Sequence, residues 1–281
     1  SSGKVNRRSM YDEFLFTNVP QQIEPTNFHW NLNEGWNWVS HPMEQDVAIS
    51  EISAHAQRFV GQTEELVRVD GAAWAGNLSA LTAGKAYKVL MDCDAEYTFS
   101  GPFYDAARGL RLHTGWNWIG YPLTSGQLVD EALARFTPSE GDVLVGRQGF
   151  TTFENGQWLG SLETLKEGTG YLYKSAAPKT LFFAEPSDEE RRVRPPFRLQ
   201  PRTPWTVMDG AYADVMGLVA QLSEADIDTD QASLSVGAFS SDGECRGIGK
   251  YIDGQLFITV YGTVGEPIVF KASDAVAGLE Y

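Results

Sequence analysis

Between residues 28 and 39 the chain alternates apolar and polar side chains in two short runs. Phe28-His29-Trp30-Asn31-Leu32 is the first; Gly35 follows a brief break, and Trp36-Asn37-Trp38-Val39 is the second. A period of two is that of a half-buried strand, and the glycine permits a turn between the two. Pro42 closes the second run, because proline cannot donate to a ladder. Ile49, Ile52, Ala56 and Phe59 then recur at helical spacing and predict one short helix. Strands resume at Leu66-Val67-Arg68-Val69, which runs into the hairpin dipeptide Asp70-Gly71. The stretch ends in two more strand-like segments, KAYKVLMD and EYTFSG.

The same pattern returns about 80 residues later. GWNWVSHP at 35–42 becomes GWNWIGYP at 115–122. A second block, W-x-G-x-L-x-x-L-x-x-G-x-x-Y, runs from Trp74 to Tyr87 and again from Trp158 to Tyr171. Leu128, Val129, Ala132, Leu133 and Phe136 predict the second short helix, and Asn155-Gly156 a second hairpin turn. Two blocks repeated in order indicate a tandem duplication. Recurrence also predicts that Trp36, Trp38, Trp116 and Trp118 are structural, with at least one of each pair buried.

After the second copy, EPSDEERRVRPPFRLQPRTPW reads as a solvated linker. Its five arginines are offset by Asp188, Glu189 and Glu190. Beyond it, strand-like runs at 217–222, 234–239, 247–249, 256–261 and 267–271 are separated by turn residues such as Asp253-Gly254. Short strands at this spacing predict an immunoglobulin-like β-sandwich. The expected class is therefore mainly β, with a short helix per repeat. The expected segments are an N-terminal tail or expression remnant (1–27), two homologous β-rich domains (28–103 and 104–185), a linker (186–205) and the sandwich (206–281).

Composition narrows the function classes. The chain has 281 residues, is 42% hydrophobic, and carries a net charge of −15. An acidic surface disfavours nucleic acid and anionic lipid as partners. No apolar run reaches the length of a membrane span, and no signal peptide is visible. Cys93 and Cys245 fall in different predicted domains; two cysteines allow one disulfide, and the first reading is two free, buried thiols.

The tandem G-W-N-W units with their L-x-x-G block resemble repeat modules of secreted and cell-surface proteins of Bacteroidetes. The tail from Ala238-Phe239 through Gly243-Glu244-Cys245-Arg246-Gly247 to Gly262 resembles the A-F-x-G-x-E-C-R-G domain that ends many such proteins. The Ser241-Asp242-Gly243-Glu244 turn is one residue longer than that pattern. The resemblance covers most of residues 30–281. It implies a setting outside the cytoplasm, as part of a larger parent chain, and it supplies no catalytic residues.

Candidate chemistry is sparse. His29, His41, His55 and His113 do not pair at zinc-site spacing, and Cys93 has no C-x-x-C partner. Asp226, Asp228 and Asp230 alternate like the opening of a calcium loop, but Gln231 and Gly237 break the EF-hand pattern. No cofactor is expected; the alternative is a looser calcium site on this loop, against the plainer reading of an acidic loop that turns through Asx-type bonds. Cys245 beside Arg246 is read as a core residue rather than a nucleophile, and Asn77-Leu78-Ser79 as a sequon by pattern only. Aromatics particular to copy two, namely Tyr121, Phe150 and Phe153, are the candidates for stacking on a glycan. They include two on the longer hairpin 147–158, where binding variation would sit. The expected function is a non-catalytic structural or adhesion module of a bacterial surface protein. The alternative is a carbohydrate-binding accessory region of a glycan-utilisation system. Expected partners are an extracellular protein or glycan and the remainder of the parent chain.

Overall fold

The computed structural model describes residues 26–186, 203–221, 234–252, 254–274 and 279–280. The protein is mainly β. The first unit contains β1 (Asn27–Leu32), β2 (Gly35–Val39), β3 (Val47–Ala48), α1 (Ile49–Ile52), β4 (Ala56–Val60), β5 (Glu65–Val69), β6 (Ala73–Gly76), β7 (Ala80–Leu81), β8 (Tyr87–Met91) and β9 (Ala95–Ser100). Its five-stranded sheet has the order β2-β8-β4-β5-β6, and the pairs β1-β9 and β3-β7 flank it.

The second unit repeats this strand for strand. It contains β10 (Leu110–Leu112), β11 (Gly115–Gly120), β12 (Gln127–Leu128), α2 (Val129–Ala132), β13 (Val143–Gly146), β14 (Gly149–Glu154), β15 (Gln157–Gly160), β16 (Thr164–Leu165), β17 (Gly170–Ser175) and β18 (Lys179–Leu181). The orders are β11-β17-β13-β14-β15, β10-β18 and β12-β16, each the first unit's order advanced by nine strands. Each unit has its own core. Phe59, Leu81 and Tyr87 are buried in the first; Leu144, Leu165 and Tyr173 are buried in the second. Burying a side chain such as Phe59 or Leu144 contributes roughly 1.5–3 kcal/mol.

Local chemistry explains why the motif residues recur. Gly35 and Gly115 take φ of +88° and +90°, the left-handed turn before each G-W-N-W strand. The asparagine of the motif braces that turn. Asn37 accepts from Asn33 N at 3.1 Å and donates to Asn33 O at 2.7 Å; Asn117 does the same with His113 N and O, both at 2.8 Å. The tyrosine that closes the second block also has a shared task. Tyr87 OH accepts from Thr82 N, and Tyr171 OH from Lys166 N, which fixes the turn that each L-x-x-G makes. Asp70-Gly71 and Asn155-Gly156 have positive φ at both residues, as a two-residue hairpin turn of type I′ requires. The helices are shorter than the spacing predicted. α1 stops at Ile52, and Ala56 and Phe59 belong to β4, whose ladder with β8 overrides the helical reading.

The two units face each other about a pseudo-twofold axis. Val39 bridges Thr169, and the equivalent Ile119 bridges Lys85. Ser40 N donates to Gly168 O at 3.0 Å, and Gly120 N to Gly84 O at 2.8 Å. Gln62 Nε2 donates to Trp116 O, and Arg147 at the same turn of the second unit donates to Trp36 O. Each G-W-N-W strand is the edge of its sheet, and each edge is covered by the opposite repeat.

The third unit contains β19 (Asp214–Ala220), β20 (Leu234–Ser240), β21 (Cys245–Ile252), β22 (Gln255–Gly262), β23 (Ile268–Asp274) and β24 (Leu279–Glu280). Its order is β19-β22-β21-β20-β23-β24. The first half of β21 pairs with β20 and the second half with β22, so the ladder folds over and encloses a sandwich-like core of Leu234, Val236, Leu256 and Ile258. The linker reading reaches too far at its end. Trp205 stands edge-on to Phe239 at 5.1 Å and so belongs to this unit. Residues 187–202 lie outside the described residues.

Candidate functional site

The tryptophans of the repeat do not point into their own cores. In β2, Val39 faces the core, while Trp36 and Trp38 face the opposite side of the sheet. The third unit docks on that side. Trp38 is buried against Val145, Phe150, Ile252 and Phe257, and its Nε1 donates to Ala213 O at 2.8 Å. The second repeat differs. Trp118 is half-buried and Trp116 is 47% exposed, so the expectation of one buried tryptophan per pair holds only in the first.

Lys88, on the outer face of β8, lies between the two repeats' rings. Its Nζ is 4.7 Å from the centroids of both Trp38 and Trp118, and 2.5 Å from Asp214 Oδ1. Burial pulls its pKa below the ordinary lysine value, and the hydrogen bond and charge of Asp214 oppose that shift.

The sequence-predicted site residues fall elsewhere. Tyr121 is fully buried, with its hydroxyl within hydrogen-bond distance of Ser125 O and Gln127 Oε1 and its ring edge-on to Phe183. Burial pushes its pKa well above the ordinary tyrosine value. Its ring has no face for a sugar. Phe150 is buried too, packed on Phe257 at 5.7 Å and over Gly217, where a Cβ would meet its ring at 2.7 Å. Phe153 is half-buried and stands edge-on to Trp158 at 5.3 Å. Phe150 and Phe153 are three apart on a strand and therefore face opposite ways, so they cannot form one platform. The hairpin that carries them is a docking surface for the third unit. Asp226, Asp228 and Asp230 lie outside the described residues.

Cys245 is buried, and desolvation first among the causes pushes its thiol pKa up, the reverse of an activated nucleophile. Arg246 pairs with Glu266 at 2.6 Å and lies 3.9 Å from the Tyr212 ring centroid, while Tyr212 OH donates to Glu244. The E-C-R-G segment thus clamps Tyr212 in place.

Among the described residues, a cleft of about 1030 Å³ lies where the three units meet. Trp36, Glu34 and His29 come from the first unit, Arg147, Glu163 and Glu167 from the second, and Lys250 from the third. It exists because the third unit forms a wall over one of the two pseudo-equivalent G-W-N-W edges. At the other, Trp116 remains open, with Lys174 Nζ 6.0 Å from its centroid. A half-buried indole beside carboxylates, amines and backbone groups suits a ligand with both apolar C–H faces and hydroxyls. Sequence reading took Trp36 as structural and did not join it to the others, because the lining comes from three separate segments with no shared spacing. The only local signal was the contrast of Arg147 with Gln62 at equivalent turns. Among the described residues no helix is long and apolar enough to cross a membrane. Comparison with protein-family models, with curated proteins and with solved structures finds no match for this chain.

Proposed function

We propose that this chain is a non-catalytic extracellular module of a larger bacterial surface protein, serving as a rigid structural or adhesion segment. The observation that carries this reading is the seam between the units. Trp38, Lys88, Phe150 and Phe257, drawn from all three, are buried against one another, and each repeat covers the other's sheet edge. Tandem bodies joined in this way transmit force and hold a fixed geometry, as a spacer or adhesion segment must. The tandem G-W-N-W and E-C-R-G patterns support a cell-surface setting, with a protein or glycan as partner.

A second reading, a carbohydrate-binding accessory region, is favoured by the cleft and its Trp36 ring. One experiment separates the two: a glycan array followed by tryptophan-fluorescence titration of the hits. No response to any polysaccharide, with retained binding to matrix proteins or cells, supports the adhesion reading. Saturable quenching that Trp36→Ala weakens about tenfold or more would replace it with the second.

A further inference from the structure

At the corner where β8 turns into β9, three side chains with metal-ligating atoms converge. Cys93 Sγ is 3.3 Å from His55 Nδ1, and His55 Nδ1 is 3.6 Å from Asp92 Oδ1. The three ligand atoms all lie within 4.8 Å of one another. Bond lengths of about 2.0–2.3 Å around a tetrahedral zinc ion place neighbouring ligand atoms about 3.4–3.6 Å apart. The two spacings to His55 Nδ1 match neighbouring ligand atoms of a tetrahedral site, and the third pair lies within 4.8 Å, so modest side-chain rearrangement closes the three on one ion.

The sheet creates this proximity. The start of β4 pairs with the end of β8 through Ala56 and Met91, and Asp92 N donates to His55 O at 2.9 Å. Residues 37 and 38 positions apart in sequence are thereby made neighbours, which sequence spacing could not show. Gln57 Nε2 donates to Asp92 Oδ2 at 3.0 Å and so orients the carboxylate from behind, as outer partners of metal ligands do. Asp94 and Glu34 stand close enough to act on the Cys93 charge, adding negative potential at the site. In the second unit the same strand positions are Ala176 and Ala177, so the duplicated fold does not require these side chains.

We propose that His55, Asp92 and Cys93 form a surface site for a zinc-class divalent cation. A thiolate, an imidazole and a carboxylate are a borderline-soft donor set, suited to zinc or cobalt rather than calcium or magnesium. All three side chains are reached by solvent, which leaves the fourth position to water or to a group from a partner. Binding forms a sulfur–metal bond and releases the Cys93 thiol proton to water. The ion would tie the β8–β9 turn to the start of β4.

The test uses the full chain without a histidine tag, titrated with Zn²⁺ by calorimetry and with Co²⁺ by absorption. The expected result is one ion per chain, with a thiolate-to-cobalt charge-transfer band. Bound Zn²⁺ should also slow the reaction of Cys93 with a thiol reagent, while Cys245 is buried and contributes little. Cys93→Ser should abolish the band, and His55→Ala and Asp92→Asn should each weaken binding about tenfold or more. The last variant is nearly isosteric and separates ligand loss from misfolding. Absence of the charge-transfer band, or unchanged Zn²⁺ affinity in Cys93→Ser, would overturn the site.

Discussion

Asp142 is fully buried and yet charged, which its four hydrogen bonds make affordable. Lys179 Nζ and Tyr173 OH donate to Oδ2 at 2.8 and 2.7 Å, Ser139 N donates to the same oxygen at 2.9 Å, and Ala176 N reaches Oδ1 at 2.7 Å. Burial alone would push this carboxyl up. The bonds from Lys179, Ser139, Tyr173 and Ala176 overcome that and hold it below the usual carboxylate range. A carboxyl whose folded pKa lies below its unfolded value of about 3.9 adds stability above that pH. The contribution is lost as pH falls through the folded value, because the unfolded state takes up the proton first. Urea unfolding followed from pH 7 to pH 2 should therefore show a steep acid limb. Asp142→Asn should flatten that limb and cost about 3–5 kcal/mol at pH 7, since Lys179 is left without its counter-charge. An unchanged acid limb in the variant would refute the assignment. Little of this was legible in sequence. By strand register the first repeat has Gln57 where the second has Asp142, and only the fold shows that Lys179 and Tyr173 reach it.

Among elements, β2 and β11 carry the lesson of the repeat. Glycine and proline in G-W-N-W-x-x-x-P were readable as turn and strand end; the asparagine's bracing of the turn shows only in the structure. The repeat itself, the hairpin turns and the mainly β class were readable because each rests on local chemistry. The predicted helix through Phe59 failed because Ile49, Ile52, Ala56 and Phe59 satisfy a helical period while the chain from Ala56 onward finds a ladder partner in β8. The tryptophans were read as structural, and Trp38 is, but its packing partners lie in other units. Alternation shows that two residues share a face without showing which face is covered. Gly120 and Gly170 sit where the repeats meet. A Cβ on Gly120 would stand 2.7 Å from Ser40 Cβ and 2.8 Å from Lys85 O; one on Gly170 would stand 2.7 Å from Ala86 Cβ and from Val39 O. The backbone partners cannot move aside as a flexible side chain would. Gly170→Val should lower stability by roughly 1–3 kcal/mol and make residues 101–109, between the repeats, more readily cleaved in limited proteolysis. Gly156→Ala is a control for the loss of glycine: it strains a positive φ in open space, and should leave the seam intact.

At the scale of the molecule, the third unit is held to the repeats by a mixed seam. Phe257 and Ile252 pack on Phe150 and Trp38, Tyr261 OH donates to Arg147 O at 2.8 Å, and Lys88 meets Asp214. Phe257→Ala should cost about 3–5 kcal/mol, and it should do so at the seam. Small-angle scattering would then show a larger radius of gyration, and the cleft around Trp36 would lose its third wall. If the variant keeps the parent's dimensions, the seam does not hold the cleft in shape. The cleft was invisible in sequence because its lining runs from His29 to Ile252 across three units. Of the three aromatics chosen from copy two, Phe150 packs at the seam on Phe257, whereas Tyr121 and Phe153 pack within the second repeat, on Phe183 and Trp158.

The pseudo-twofold seam also bears on how the chain assembles. The surfaces that meet are nearly the same surface twice, so the first repeat of one molecule could pair with the second repeat of another. What favours the internal partner is the tether: residues 101–109 alone join β9 to β10. The segment is short and is itself tied to both repeats, through Tyr104 N to Pro42 O and through Ala106 in the second core, so it holds the internal partner at an effective concentration at least in the millimolar range, on the order of a thousandfold above micromolar protein. Shortening that segment until the repeats can no longer meet would leave each with an uncovered edge strand. The predictable product is a swapped dimer in which every edge is covered again, by the other chain.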